Sequence, residues 1–277
     1  MHRLLTGPLS VEHLTIPIAN LPVHLQGTKI VQLSDLHYDG VRLSEQMLAD
    51  AIAASNRVQP DLVVLTGDYI TYEPEPIYPL VQRLKHLQSR YGTYAVLGNH
   101  DLYYPNARNL VTQALTGIGV RVLWNEVAYP LGSELALVGL PDFWSKQFNP
   151  ASVLDELEPQ LPRIVLSHQP DSAQILQQWR VDLQLSGHTH GGQIILPLLG
   201  PLPAWQNTVR RLIPKPLRPW IPYMEDRCNH VVRHWEWSRG LHRIGQNLLY
   251  TNPGLGTYYP GRLCCPPEVT VFTLKEC

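Results

Sequence analysis

Five short apolar runs in this chain each stop on a polar block carrying an Asp, an Asn or a His, and that repeated strand-end chemistry narrows what the chain can fold into. Lys29 to Leu33 (KIVQL) runs into Ser34-Asp35-Leu36-His37, and Asp61 to Leu65 (DLVVL) into Thr66-Gly67-Asp68. Tyr94 to Leu97 (YAVL) runs into Gly98-Asn99-His100-Asp101, and Arg163 to Leu166 (RIVL) into Ser167-His168. Val181 to Leu185 (VDLQL) runs into Ser186-Gly187-His188-Thr189-His190-Gly191-Gly192. Short apolar runs bounded by such turn residues read as buried strands. Leu135 to Leu140 reads as another, and two late strands fall around Leu248 to Thr251 and Val269 to Leu274.

Helical spacing separates the runs. Met47, Leu48, Ile52 and Val58 share one face of a helix over Ser44 to Val58, with Ser44 as its N-cap. Leu80 to Leu87, Asn106 to Leu115 and Asp171 to Trp179 read the same way. This alternation predicts an α/β layered domain, with the late strands in a second sheet packed on the first. There is no internal repeat and no clean boundary, so residues 1–277 read as a single domain. One stretch breaks the pattern: about 197–243 is rich in Pro, Trp and Arg and reads as an insertion or cap between two strands.

Composition removes some function classes. A net charge of −1 supplies no global basic field, so nucleic acid is not an expected partner. No segment approaches the ~20 apolar residues that span a bilayer, and Met1 to Leu14 lacks the apolar stretch of a secretory signal. A soluble, cytoplasmic protein with at most peripheral membrane contact is expected. Cys228, Cys264, Cys265 and Cys277 form no CxxC pair, and adjacent Cys264 and Cys265 are too close along the chain for an ordinary disulfide. Reduced structural thiols are therefore expected.

In α/β sheets, ligands bind beyond the carboxyl ends of parallel strands. The strand ends here deliver Asp35, His37, Asp68, Asn99, His100, His168, His188 and His190 to one such edge, and five of the twelve histidines sit in these blocks. Imidazole, carboxylate and amide oxygen without thiolate suit first-row ions such as Zn, Fe or Mn. Two such ions about 3.5–4 Å apart can clamp both oxygens of an in-line phosphoryl displacement and acidify a bridging water to hydroxide. Each block alone is ordinary; the ordered set is not.

The set resembles the calcineurin-like metallophosphoesterases, whose pattern is Asp-x-His, Gly-Asp, Gly-Asn-His-Asp/Glu, a lone His and Gly-His-x-His. The resemblance implies two face-to-face β-sheets with helices outside. It also implies two metal ions, held by Asp35, His37 and His190 on one side and Asn99, His168 and His188 on the other, with Asp68 bridging. His100 would face the phosphate, and Asp101 would orient His100 as an outer partner.

Departures narrow the branch. Gly67-Asp68 is followed by Tyr69-Ile70-Thr71-Tyr72 rather than the Asp-Arg-Gly element of protein phosphatases, and Asn99-His100 by Asp101 rather than Glu. The extended Gly-His-Thr-His-Gly-Gly-Gln block, with Gly254-Leu255-Gly256 and Arg262 later, is similar to the small bacterial phosphodiesterase branch. That branch implies a phosphodiesterase whose substrate is a phosphate-ester small molecule, lipid-linked or a sugar nucleotide. The alternatives are a phosphomonoesterase or nuclease on the same fold, or a non-catalytic scaffold. The filled metal and His100 positions argue against the scaffold.

The insertion reads as a proline-stiffened loop packing its tryptophans on the sheet or, through Trp205, Trp220, Arg210, Arg211 and Arg218, as an interfacial surface for an amphipathic substrate. Tyr103-Tyr104 reads as groove lining or as loop packing. His230, His234 and His242 are too irregularly spaced to suggest a third metal.

Overall fold

The computed structural model describes residues 6–205, 213–220 and 232–277. The first of two six-stranded sheets contains β1 (Ser10–Ile18), β2 (Lys29–Leu33), β3 (Leu62–Leu65), β4 (Thr93–Ala95), β5 (Arg121–Val122) and β14 (Glu268–Glu276), in the order β1-β14-β2-β3-β4-β5. The second contains β6 (Glu126–Ala128), β7 (Ala136–Gly139), β8 (Arg163–Leu166), β9 (Leu183–Ser186), β12 (Gly240–Ile244) and β13 (Asn247–Thr251), in the order β12-β13-β9-β8-β7-β6. β10 (Ile195–Leu196) and β11 (Gly200–Pro201) form a small separate hairpin.

Side-chain alternation makes the layers. Ile30, Leu62 and Val64 of the first sheet meet Leu137, Ile164, Leu166, Leu183 and Leu185 of the second in a shared central core. The opposite faces carry Val31, Leu33, Val63 and Leu65, which pack under α1 (Glu45–Arg57), α2 (Ile77–Leu84) and α3 (Ala107–Thr116). On the other side Ala136, Val138 and Val165 pack under α4 (Ala151–Leu154) and α5 (Ala173–Leu176). Ser44 caps α1 as its sequence suggested, accepting from Met47 N at 3.2 Å, a contact worth about 1 kcal/mol.

Direction matters most for the site. β2, β3 and β4 run parallel in the first sheet, and β7, β8 and β9 run parallel in the second. Their carboxyl ends meet at one edge of the sandwich. A buried glutamine ties the two layers there: Gln32 Nε2 donates to Thr66 Oγ1 and to the Ser186 carbonyl, both at 2.9 Å.

Several elements differ from expectation. β1 was not foreseen; as an edge strand with Pro17 in it, only Ile16 and Ile18 are deeply buried, so its alternation is faint in sequence. The helix expected over Asp171 to Trp179 is a 3-10 turn (Pro170–Ser172) followed by the single turn of α5, because the chain must return to start β9 at Leu183. β12 begins inside the stretch set apart for its Trp and Arg content and pairs antiparallel with β13. In that stretch Trp237 packs on Ala173, Ile244 and Leu249, while Trp220 is exposed. Arg210, Arg211, Cys228 and His230 lie outside the described residues. Among the described residues no helix is long and apolar enough to cross a membrane.

Candidate functional site

Loops leaving five strands bring the candidate residues together. Asp35, His37 and His190 form one group whose ligand atoms lie within 4.8 Å of one another, and Asp68, His168 and His188 form a second. His37, Asp68 and His100 form a third at the same spacing, so Asp68 belongs to two of the three. The Asp68 Oδ2 atom makes the link: it lies 3.5 Å from His37 Nε2 and 3.1 Å from His168 Nε2. His37 Nε2 and His190 Nε2 face each other at 3.1 Å, and His188 Nδ1 and His168 Nε2 at 3.2 Å. Asn99 donates from Nδ2 to Tyr103 Oη at 2.6 Å, while its Oδ1 is buried with no partner among the described residues.

The rings are aimed by bonds on their other nitrogens. His168 Nδ1 meets the Thr66 carbonyl at 2.7 Å and His190 Nδ1 the Gly256 carbonyl at 3.1 Å. His37 Nδ1 meets Tyr258 Oη at 3.1 Å. The Gly256 carbonyl is itself held. Arg262 Nη2 donates to the carbonyls of Pro253, Gly254 and Gly256 at 2.8, 3.1 and 2.6 Å, bracing the loop under His190. Replacing Arg262 by Met should therefore loosen His190 and weaken metal binding about 10–100-fold, the usual outer-partner effect. A metal titration of the refolded variant checks this, and unchanged affinity would remove Arg262 from the site.

Backbone strain and close approach mark the same loops. Asp35, His37, Asp68, His188 and His190 all have positive φ, between 43° and 70°, a region that non-glycine residues enter at a cost when the surroundings require it. A Cβ on Gly98 would stand 2.2 Å from Asp68 Oδ1, and one on Gly187 would stand 2.2 Å from Asp35 Oδ2. Glycine at these two positions is what lets the carboxylates seat.

Electrostatics test whether cations fit. Burial raises the Asp35 carboxyl to about 6 and pushes His37 down to about 3, and it lowers His190 well below the ordinary imidazole range. Burial would raise Asp68, yet His168 and His100 hold it well below the usual carboxylate range. Burial would lower His168, but the Asp68 carboxylate raises it to about 10. Buried carboxylates and imidazoles thus crowd together, with two nitrogen pairs opposed and an amide oxygen that has no partner among the described residues. Such a set is unsatisfied by protein donors alone and suits cations. The donor chemistry fits first-row ions.

His100 and Asp101 differ in what they touch. The His100 ring stands edge-on to His37 at 4.7 Å, with its Nδ1 2.6 Å from the Thr71 carbonyl. Asp101 does not orient that ring, contrary to expectation. Its Oδ2 accepts from Asp68 N and Gly98 N, both at 2.9 Å, and its Oδ1 from Tyr69 N at 2.9 Å and Ile70 N at 3.3 Å. Following His100 on a 3-10 turn, the Asp101 side chain points back under the loop that carries Asp68, so it shapes that loop instead. Burial and the nearby Asp68 charge raise its carboxyl to about 7.

Three further residues stand at the site. Asp142, just beyond β7, is buried with no partner for Oδ2 among the described residues, and burial raises it to about 6. Its signal was readable, since it ends a strand as the other site residues do. Tyr258 lies edge-on to His37 and His190, and Tyr72 faces His100 at 6.2 Å. Neither sits in a motif, so only the fold reveals them.

The site can be set beside known proteins. The model of the calcineurin-like phosphoesterase family matches residues 28–192. Phosphodiesterase YaeI of Escherichia coli is 34% identical over 252 residues, covering 89% of this chain and 82% of its own. The uncharacterized metallophosphoesterase YkuE of Bacillus subtilis is 33% identical, covering 96% and 85%. UDP-2,3-diacylglucosamine pyrophosphatase LpxG of Chlamydia trachomatis is 29% identical, covering 91% and 86%. One solved structure matches in fold with a TM-score of 0.51 at 12% identity, over 82% of this chain and 90% of its own.

Proposed function

This chain belongs to the calcineurin-like phosphoesterase family and is a metal-dependent phosphoester hydrolase, and we propose that it is a phosphodiesterase with a dinuclear centre. The observation that carries the reading is Asp68 Oδ2, within reach of both His37 and His168 and so shared by the two ligand groups. In this reading Asp35, His37 and His190 hold one ion, Asn99, His168 and His188 the other, and Asp68 both. Bound there, Mn, Fe or Zn would supply Lewis acidity at the phosphoryl oxygens and an acidified water for in-line displacement.

The chain's own residues do the rest. The Thr71 carbonyl accepts from His100 Nδ1 and so fixes the ring, which in its protonated form can donate from Nε2 to a phosphoryl or leaving oxygen. The Asp101 carboxylate gathers four backbone N–H groups and so holds Asp68 and Gly98 in place. Tyr72, Tyr103 and Tyr258 stand around the His100 ring and wall that side of the site. The name of the pyrophosphatase relative, with its UDP-linked diacylated sugar, supports a lipid-like or sugar-nucleotide diester as the substrate class.

The direct test compares bis-p-nitrophenyl phosphate with p-nitrophenyl phosphate, with Mn²⁺ and with chelator. Cleavage that needs metal and favours the diester is expected. Preference for the monoester would overturn the phosphodiesterase reading.

A further inference from the structure

Beside the ligand groups, three loops build a rim around one guanidinium. Arg42 lies beyond β2, Thr71 and Tyr72 lie beyond β3, and Thr257 and Tyr258 lie beyond β13. The Arg42 guanidinium carbon stands 4.5 Å from the centre of the Tyr258 ring and 5.4 Å from that of Tyr72. Tyr258 in turn lies 5.0 Å edge-on to His37. One aromatic ring therefore separates the permanent positive charge from a candidate metal ligand, and another separates it from His100.

The rim is fixed before any ligand arrives. Arg42 Nη1 pairs with Asp39 Oδ2, which also accepts from Thr71 Oγ1 at 3.0 Å. Asp39 Oδ1 accepts from Val41 N at 2.9 Å and Arg42 N at 2.8 Å, closing a turn on itself. The Arg42 carbonyl accepts from Thr257 N at 2.9 Å, tying that turn to the Tyr258 loop. Thr71, whose carbonyl holds His100, thus shares Asp39 with Arg42. A planar guanidinium held this way has lost most of its rotamer freedom in advance, and its fork geometry matches phosphate oxygens.

Structural bracing of Tyr258 alone would need only an apolar or neutral side chain. A partly exposed guanidinium beside two rings that border the proposed phosphate site has a further use. We propose that Arg42 is a specificity residue that binds the anionic group adjacent to the scissile phosphorus. The site would then prefer pyrophosphate diesters over diesters of a single phosphate. The inference rests on the phosphodiesterase reading above and adds the group that selects the second phosphate.

The test measures inhibition of bis-p-nitrophenyl phosphate cleavage by two matched ligands. UDP-glucose carries the second phosphate, and the methyl ester of uridine 5′-monophosphate lacks it. The unaltered enzyme should hold UDP-glucose on the order of 10–100-fold more tightly, the range for hydrogen bonds to a charged group. In Arg42→Met the ratio of the two inhibition constants should fall towards one, and Arg42→Lys should retain part of it. Tyr258→Phe keeps the guanidinium and should keep the ratio, which guards against a merely disturbed rim. Because the readout is a ratio, a general loss of activity does not mimic it. Equal binding of both ligands by the unaltered enzyme, or an unchanged ratio in Arg42→Met, would overturn this inference alone. Absence of metal-dependent diester cleavage in the unaltered enzyme would overturn the phosphodiesterase reading, and this inference with it.

Discussion

Replacing His100 by alanine is expected to slow diester cleavage about 10²–10⁴-fold while leaving metal content unchanged. That loss equals roughly 3–5 kcal/mol of transition-state stabilisation. The reasoning is geometric. His100 faces the site with Nδ1 committed to the Thr71 carbonyl, so the ring is fixed, and its other nitrogen can donate when the ring is protonated. It takes part in the group with His37 and Asp68, yet each proposed ion keeps its remaining ligands without it. The backbone N–H of His100, which donates to Asp68 Oδ1 at 2.9 Å, survives the substitution. Elemental analysis beside steady-state kinetics checks both halves. Full activity, or loss of metal along with activity, would remove His100 from its proposed role.

Asp68→Asn should do the opposite: metal content falls and turnover drops to background. An amide conserves the shape and the acceptor for His100 N, so the fold should hold. It removes the negative charge that raises His168 to about 10 and that both ligand groups share. In the proposed dinuclear reading, charge on the Asp68 carboxylate would be needed to hold two cations, and a neutral amide would not replace it. The contrast between the variants is the informative result, since it separates proton donation from metal retention. An Asp68→Asn enzyme with full metal content would sink the shared-ligand assignment.

The site was legible in the sequence to the extent that its residues sit at strand ends. Asp35, His37, Asp68, Asn99, His100, His168, His188 and His190 all follow short apolar runs, which strands buried on both faces make continuous and so visible. Asp142 follows one too, but its Leu-Pro-Asp setting carries no metal-site pattern. Tyr258 and Arg42 reach the site only through loop packing, which no local period encodes. The role of Asp101 differs from what the resemblance implied, a partner for the His100 ring, because the turn after β4 directs the carboxylate towards backbone N–H groups. In the fold, β1, β5 and β6 were missed because edge strands and strands of two or three residues leave little alternation to read.

The position of β14 has a consequence for how the chain is made. It pairs in parallel with β1 and antiparallel with β2, lying between two strands from the first thirty-three residues. A chain still on the ribosome and shorter than residue 268 has therefore left β2 with a bare edge and β1 with nothing to pair with. Growing polypeptide cannot seal this sheet in the order in which it emerges. The apolar β2, which runs straight into Asp35 and His37, must wait for more than two hundred further residues, the long-range closure that makes folding slow and exposes intermediates to aggregation.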